Sequence, residues 1–455
     1  MRFDPRRVVS PWISPWKCLI LLALFLFPMT AFGQDRVDQL QQELDRLKAE
    51  IAAMKQQGGD AKTEELERRL DVLAEEIERL KIGEAATTAD TSEHGLGPAA
   101  SKIYRTERGV SIGGYGEFLY ENAEGEAELD LLRAVLYFGY KFNDRFVFNS
   151  EVEYEHAGEE IGVEFAYLDY LWRPQANLRA GLLLLPMGFL NELHEPTTFL
   201  GAKRPETESR ILPTTWRENG LGLFGEAGPF SYRTYVVAGL ASEGFTAEGL
   251  RGGRQEGIES NAEELAWTGR LDYTGIPGLV IGGSAYIGNS GAGSHGEEEE
   301  EEELTVLEDE PEVEVGTRIL EGHVEWKWRG LELRALAVQA DLDDVAELNH
   351  ELGLFGGESV GERLTGRYVQ VGYDLLASRG GERALIPYAR WEGLNTQDKV
   401  PAGFVADPIN DVEIVTLGIE FKPIDQIVIK ADHQRIDNEA FDSTSQFNVL
   451  LGWIF

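Results

Sequence analysis

Acidic and basic side chains recur at alternate positions in several stretches, with apolar residues between them. Glu151, Glu153 and Glu155 alternate with Val152 and Tyr154. Arg270 and Asp272 alternate with Leu271 and Tyr273, and Glu321, His323, Glu325 and Lys327 alternate with Val324, Trp326 and Trp328. Charge at that spacing lies on one face of a strand. Arranged in rings around an aqueous lumen, such charges set which ions pass. The same alternation puts Arg133, Arg179, Arg233, Arg270, Lys327, Arg334, Arg390 and Lys430 on the aqueous face. Glu117, Glu151, Glu153, Glu155, Asp272, Glu321, Glu325, Glu332, Asp374, Glu392, Glu420 and Asp432 join them there. A mixed lining that leans acidic predicts weak cation preference or little selectivity.

Catalytic and metal chemistry find little support. The histidines from His156 onward show no metal-ligand spacing, and no Gly-x-Ser-x-Gly elbow is present. His156 with Glu155 and Glu159 is the nearest approach to an acid–base set, too sparse for an enzyme. No cofactor is expected. Glu297 to Glu303 are seven consecutive acids, which fit a solvated external loop of self-repelling charge. A sharper alternative is divalent-ion capture at Glu297, Glu298, Glu299 and Glu300, since clustered carboxylates offer oxygen ligands.

The elements that must carry the charged face are strands. From Val110 to Phe455 the pattern has period two, and its connections alternate in length. Short turns are expected at Asn143-Asp144, Arg173 to Ala176, Gly225 to Pro229, Thr274 to Gly278, Arg329-Gly330, Ser378 to Gly381 and Lys422 to Asp425. Longer loops lie around 188–218, 243–263, 290–315, 342–363 and 394–411. A transmembrane barrel sorts its loops this way, whereas a sandwich has no reason to. About sixteen strands fit, giving an all-β antiparallel transmembrane barrel over 108–455. Phe447, Val449, Leu451, Trp453 and Phe455 form one apolar face of a strand that stops at the last residue. Tyr137, Tyr140, Tyr170, Trp172, Trp326, Trp328, Trp391 and Trp453 are placed to form interfacial girdles. The strand 161–172 fits either phase, and one of them would turn Asp169 to lipid.

The N-terminal part has other periods. Arg2, Arg6, Arg7 and Lys17 precede an apolar run from Leu19 to Phe27, and Ala31-Phe32-Gly33 supplies a cleavage site. A signal peptide over 1–33 is expected, because the run is too short to span a membrane as a helix. Its loss takes the net charge from −38 to about −41 and removes Cys18, the only cysteine. So acidic a surface excludes nucleic acid as a partner. Val37, Leu40, Leu44, Leu47, Ile51 and Met54 form an a/d seam, and Leu66, Leu70, Leu73, Ile77 and Leu80 a second. They predict an α-helical, periplasmic coiled coil over 34–82 that self-associates or folds back as a hairpin. Residues 83–107 then read as a linker.

Gly95-Leu96-Gly97-Pro98-Ala99-Ala100-Ser101-Lys102-Ile103-Tyr104, followed by Ser111 to Glu117, resembles the approach to the first strand of phosphate-selective porins of the O and P type. Pro186-Met187-Gly188-Phe189, His194-Glu195-Pro196, Arg204-Pro205 and Ile211 to Trp216 carry the same likeness, which covers roughly 95–455. The resemblance implies an outer-membrane, sixteen-stranded homotrimer, set in lipid and lipopolysaccharide, that passes small hydrophilic solutes. It also implies a loop folded into the pore, about Asn191 to Arg217, with Lys203, Arg204, Glu206, Arg210, Arg217 and Glu218 as constriction candidates. The family's arginine ladder and lysine cluster are missing, so phosphate or other anion selectivity is only an alternative. A further alternative makes the barrel an anchor and the coiled coil a tether to peptidoglycan.

Overall fold

The computed structural model describes residues 92–291, 313–440 and 443–455. The expected signal peptide, the coiled coil and the acidic run from Glu297 lie outside the described residues.

The alternating segments form sixteen strands: β1 Gly109–Ala123, β2 Glu126–Lys141, β3 Phe146–Glu155, β4 Glu160–Arg173, β5 Ala176–Leu184, β6 Arg217–Ala227, β7 Phe230–Ala238 and β8 Leu265–Ile276. They continue with β9 Leu279–Ser290, β10 Val315–Trp328, β11 Leu331–Leu342, β12 Arg363–Tyr373, β13 Ala384–Lys399, β14 Asp411–Ile424, β15 Ile427–Asn438 and β16 Thr444–Ile454. Each pairs antiparallel with its sequence neighbours, and β16 closes on β1. Phe455 N donates to Gly114 O at 2.9 Å, so the closing hydrogen bonds run to the last residue. A closed barrel leaves no edge to be desolvated in hydrocarbon.

Sequence alternation becomes an inside and an outside. Leu136, Phe138, Leu168, Leu178, Leu221, Trp267, Leu271, Ile281, Leu320, Val369, Leu417 and Phe447 are exposed on the outer wall. So much uncovered apolar surface suits lipid and would aggregate in water. No described helix is long and apolar enough to cross a membrane. Short turns such as 174–175, 228–229, 277–278 and 329–330 gather at one end. The long connections 185–216, 239–264 and 343–362 gather at the other. The short-turn end of such barrels faces the periplasm.

The ambiguous phase of 161–172 has a physical cause. Glu151 pairs with Phe165 and Val152 with Val163, so Glu164 is an extra residue in a β-bulge. Ile161 and Val163 point outward on one side of the bulge, whereas Phe165, Tyr167 and Asp169 point inward on the other. Inserting one residue exchanges the faces of all that follow. Asp169 is therefore lumenal.

Two expectations are corrected. Tyr137 is not a girdle residue. It is buried inside the barrel between Tyr115, at 6.1 Å between ring centroids, and Phe165, at 6.0 Å. Nor is the stretch leading into β1 a free linker, because Leu96, Ala99, Ala100, Ile103 and Tyr104 are buried. Those five stand at i, i+3, i+4, i+7 and i+8, the spacing of one helical face, and the last two fall in the short helix α1, Lys102–Arg105. The segment packs inside the short-turn end of the lumen as a partial plug and leaves open space beside it. Asn149 Nδ2 on β3 donates to Ala100 O at 3.0 Å. Tyr104 Oη donates to Asp169 at 2.7 Å and accepts from Arg179 at 2.8 Å.

Candidate functional site

Loop L3, residues 185–216, enters the barrel and carries the short helix α2, Glu206–Arg210. Leu185, Met187, Phe189, Leu190, Phe199, Leu200, Ile211, Leu212 and Trp216 are all buried. A loop crossing a lumen has backbone N–H and C=O groups that no sheet can pair, and leaving them bare is costly. The wall charges satisfy many of them. Lys430 Nζ donates to Phe199 O at 2.7 Å and Gly201 O at 3.0 Å. Lys422 donates to Thr197 O at 2.8 Å and Arg390 to Lys203 O at 3.3 Å, while Arg270 reaches Gly188 O. In the opposite sense, Asp432 accepts from Ala202 N at 2.7 Å. Glu392 accepts from Glu206 N at 2.9 Å and Thr207 N at 3.1 Å. Within the loop, Glu208 accepts from Phe189 N and Leu190 N, both at 2.8 Å, and from Tyr368 Oη at 2.6 Å.

Much of the charge expected to line the lumen is therefore structural. Arg390 and Lys430 strap the loop and are buried. Arg179 is held by Asp169 at 2.8 Å between the rings of Tyr167 and Phe224. Arg270 pairs with Asp272 at 2.8 Å, and His323 joins Asp272 to Glu321, each at 2.8 Å. Glu325 pairs with Arg334 at 2.5 Å and with Lys327 at 3.3 Å, Lys327 staying half exposed. Arg133 meets three carboxylates, Glu117 at 3.3 Å, Glu153 at 3.1 Å and Glu155 at 3.0 Å. Glu151 is buried against His194 of L3 at 3.2 Å.

L3 also holds the N-terminal plug. The Glu195 carboxylate accepts from Ala99 N at 3.0 Å and from Ala100 N at 3.0 Å. Burial pushes Glu195 up to about 7, although those two donors and His194 pull the other way. Burial works against a charged His194, yet the Glu151 carboxylate holds it up at about 9.

Two cavities flank the loop. The first, of about 380 Å³, opens between L3 and the β1–β2 wall. Its strand side carries Glu117, Glu121, Glu128, Asp130 and Arg133. Its loop side carries Lys203, Arg204 and Glu206 of L3 and Arg251 of the 239–264 connection. The second, of about 670 Å³, lies at the short-turn end and is lined by Glu93, His94, Phe189, Glu192, Arg233, Arg270, Asp272 and Glu325 among others. Arg233 there bridges Glu192 and Asp272, both at 3.1 Å. The two cavities share no lining residue, and L3 contributes to both.

Of the six constriction candidates, Lys203, Arg204 and Glu206 line the first cavity together. Lys203 pairs with Glu121 at 3.0 Å across it. Arg210 is drawn to Glu206 at 3.0 Å. Arg217 and Glu218 open β6 instead. Arg217 binds Glu164 at 3.1 Å and Glu256 at 2.8 Å, and the buried Glu218 accepts from Gln255 N at 3.0 Å. Asp130 and Arg251 were missed, because the first sits on a strand extension and the second on a loop with no periodicity. Among the described residues no cluster of His, Cys, Asp or Glu could hold a metal ion.

A closed sixteen-strand barrel with an apolar outer wall and an inward loop defines an outer-membrane transmembrane channel of porin fold. Among solved structures, OmpF of Salmonella typhi, in complex with daunomycin, superimposes with a TM-score of 0.50 at 12 % identity, over 78 % of this chain and 99 % of that one. An anion-selective porin from Comamonas acidovorans gives 0.49 at 11 % identity, over 77 % and 100 % of the two chains. No family model matches the sequence. An uncharacterised protein of Aquifex aeolicus (strain VF5) is 38 % identical over 379 residues, covering 79 % of this chain and 83 % of its own. The chain belongs to the same family as that protein.

Proposed function

We propose that the protein is a passive diffusion channel for ions and small hydrophilic solutes, with little ion selectivity or a weak preference for cations. The observation that carries this reading is the first cavity, where acids of the β1–β2 wall face cations of L3. Fixed charge of both signs at a narrow place favours neither ion strongly. The phosphate-type reading lacks its chemistry, since Arg133, Arg179, Arg270 and Arg390 are occupied by carboxylates or loop carbonyls and form no free ladder. Lys203, Arg204 and Glu206 are the residues assigned to the constriction. The expected partners are outer-membrane lipid and lipopolysaccharide, with a homotrimer assembled partly through the coiled coil of 34–82 in the periplasm. Reversal potentials in planar bilayers under a tenfold KCl gradient test the selectivity. Values near zero or slightly to the cation side support it, and a clear anion preference refutes it.

A further inference from the structure

Most of the charges in the lumen have partners, and the first cavity contains the exceptions. Of its cations, Arg133 has three carboxylates and Lys203 has Glu121. Among the described residues Arg204 donates only to the carbonyl of His194, at 3.5 Å, and no carboxylate forms an ion pair with it. Arg251, exposed at the cavity rim, forms no ion pair among the described residues; partial desolvation and the neighbouring Arg254, Arg204 and Arg133 push it down to about 10, with Glu155 pulling the other way. Two guanidiniums thus converge on one space with no carboxylate among the described residues in direct contact with either, Glu153 and Glu155 acting on them only from a distance. On the strand side Asp130 is bound to His156 at 2.6 Å, whereas Glu128 has no cationic partner there.

From this juxtaposition we infer that the first cavity is a binding site for small zwitterionic solutes that carry one carboxylate and one ammonium. Unpaired arginines present planar donor forks that match a carboxylate. The carboxylate sits between Arg204 and Arg251, where it relieves their mutual repulsion. The ammonium faces Glu128 and Asp130, acceptors that a simple anion would leave unused and would be repelled by. A cavity of about 380 Å³ is large enough for a small solute of this kind. The same arrangement explains how a channel with little ion selectivity can still discriminate among solutes, because each charged group of the solute meets the opposite sign of charge.

The inference rests on the channel reading, and the test separates the two. Single-channel current is recorded with L-glutamine, acetate or methylammonium added on the long-loop side. The site predicts that glutamine interrupts the current longer than either half-molecule does. It further predicts that R204Q/R251Q and E128Q each shorten the interruptions by roughly tenfold, which corresponds to about 1.4 kcal/mol. R204K, which keeps the charge and loses the fork, shortens them as well. Acetate block that equals glutamine block and ignores E128Q would show a plain anion site and overturn the zwitterion assignment. A conducting channel that none of the three solutes interrupts overturns it too, while leaving conduction intact. Absence of conductance would instead remove the channel reading beneath it.

Discussion

The Glu195→Ala substitution tests how the N-terminal plug is held. Glu195 is buried, and its carboxylate accepts from the backbone N–H of Ala99 and of Ala100, both at 3.0 Å. Alanine leaves both donors without partners in a buried place. Each orphaned donor costs about 1–3 kcal/mol, so docking weakens by about 2–6 kcal/mol. At about 1.4 kcal/mol per decade the undocked population rises roughly 30-fold to 10⁴-fold. Trypsin reads this directly, because Lys102 lies within the plug and is only 5 % exposed. When opening is fast, the cleavage rate follows the open population. Cleavage after Lys102 in the detergent-solubilised barrel should therefore accelerate at least 30-fold in E195A. An unchanged rate would refute the clamp.

The pH dependence has a definite sign. Docked, Glu195 is pushed by burial up to about 7, above the ordinary carboxylate range. The docked state thus holds a proton that the undocked state releases, and docking weakens as pH rises through that interval. The groups facing Glu195 are His194 on its own loop, Glu151 on β3, Tyr137 on β2 and the two plug amides. His94 on the plug is pushed down to about 4, chiefly by burial, and stays neutral throughout. Normalised to trypsin's activity on a small unstructured substrate at each pH, wild-type cleavage should be slower at pH 5.5 than at pH 8, and E195Q should flatten the normalised difference.

Three other outcomes are expected. Lys430→Met removes the donor to Phe199 O and Gly201 O and strips Glu420 of a cation. Breaking such a buried arrangement costs about 3–5 kcal/mol, seen as a lower urea midpoint and a noisier, larger conductance as L3 loosens. Arg133→Leu frees Glu117, Glu153 and Glu155, so reversal potentials should move toward the cation side; a shift toward anions would contradict the lumen assignment. Deleting residues 35–82 should lower the yield of chemically cross-linked trimer, and an unchanged yield would remove the coiled coil from assembly.

The barrel was legible because a lipid-facing wall imposes period two on every strand and sorts turns from loops. Where the sequence was ambiguous, at 161–172, one bulge residue, Glu164, had exchanged the faces. The plug was hidden for a different reason. Its inward face is built partly from Ala99 and Ala100 among Gly, Pro and Ser, too small to register as an apolar stripe. Alternation assigns charges to one face of a strand, but it cannot tell a residue that faces water from one that holds a loop. That distinction depends on where L3 runs, and Arg390 and Lys430 are spent on its carbonyls. The cavity-lining set crosses five separate segments, and only Lys203, Arg204 and Glu206, adjacent on one loop, share a local sequence signal.

The most direct test of the central claim is swelling of liposomes that contain the refolded protein, in isotonic solutions of neutral solutes of increasing size. A passive channel narrowed by L3 predicts rapid swelling with a pentose and progressively slower swelling through hexose and disaccharide. Liposomes as tight as protein-free controls for every solute would contradict the account.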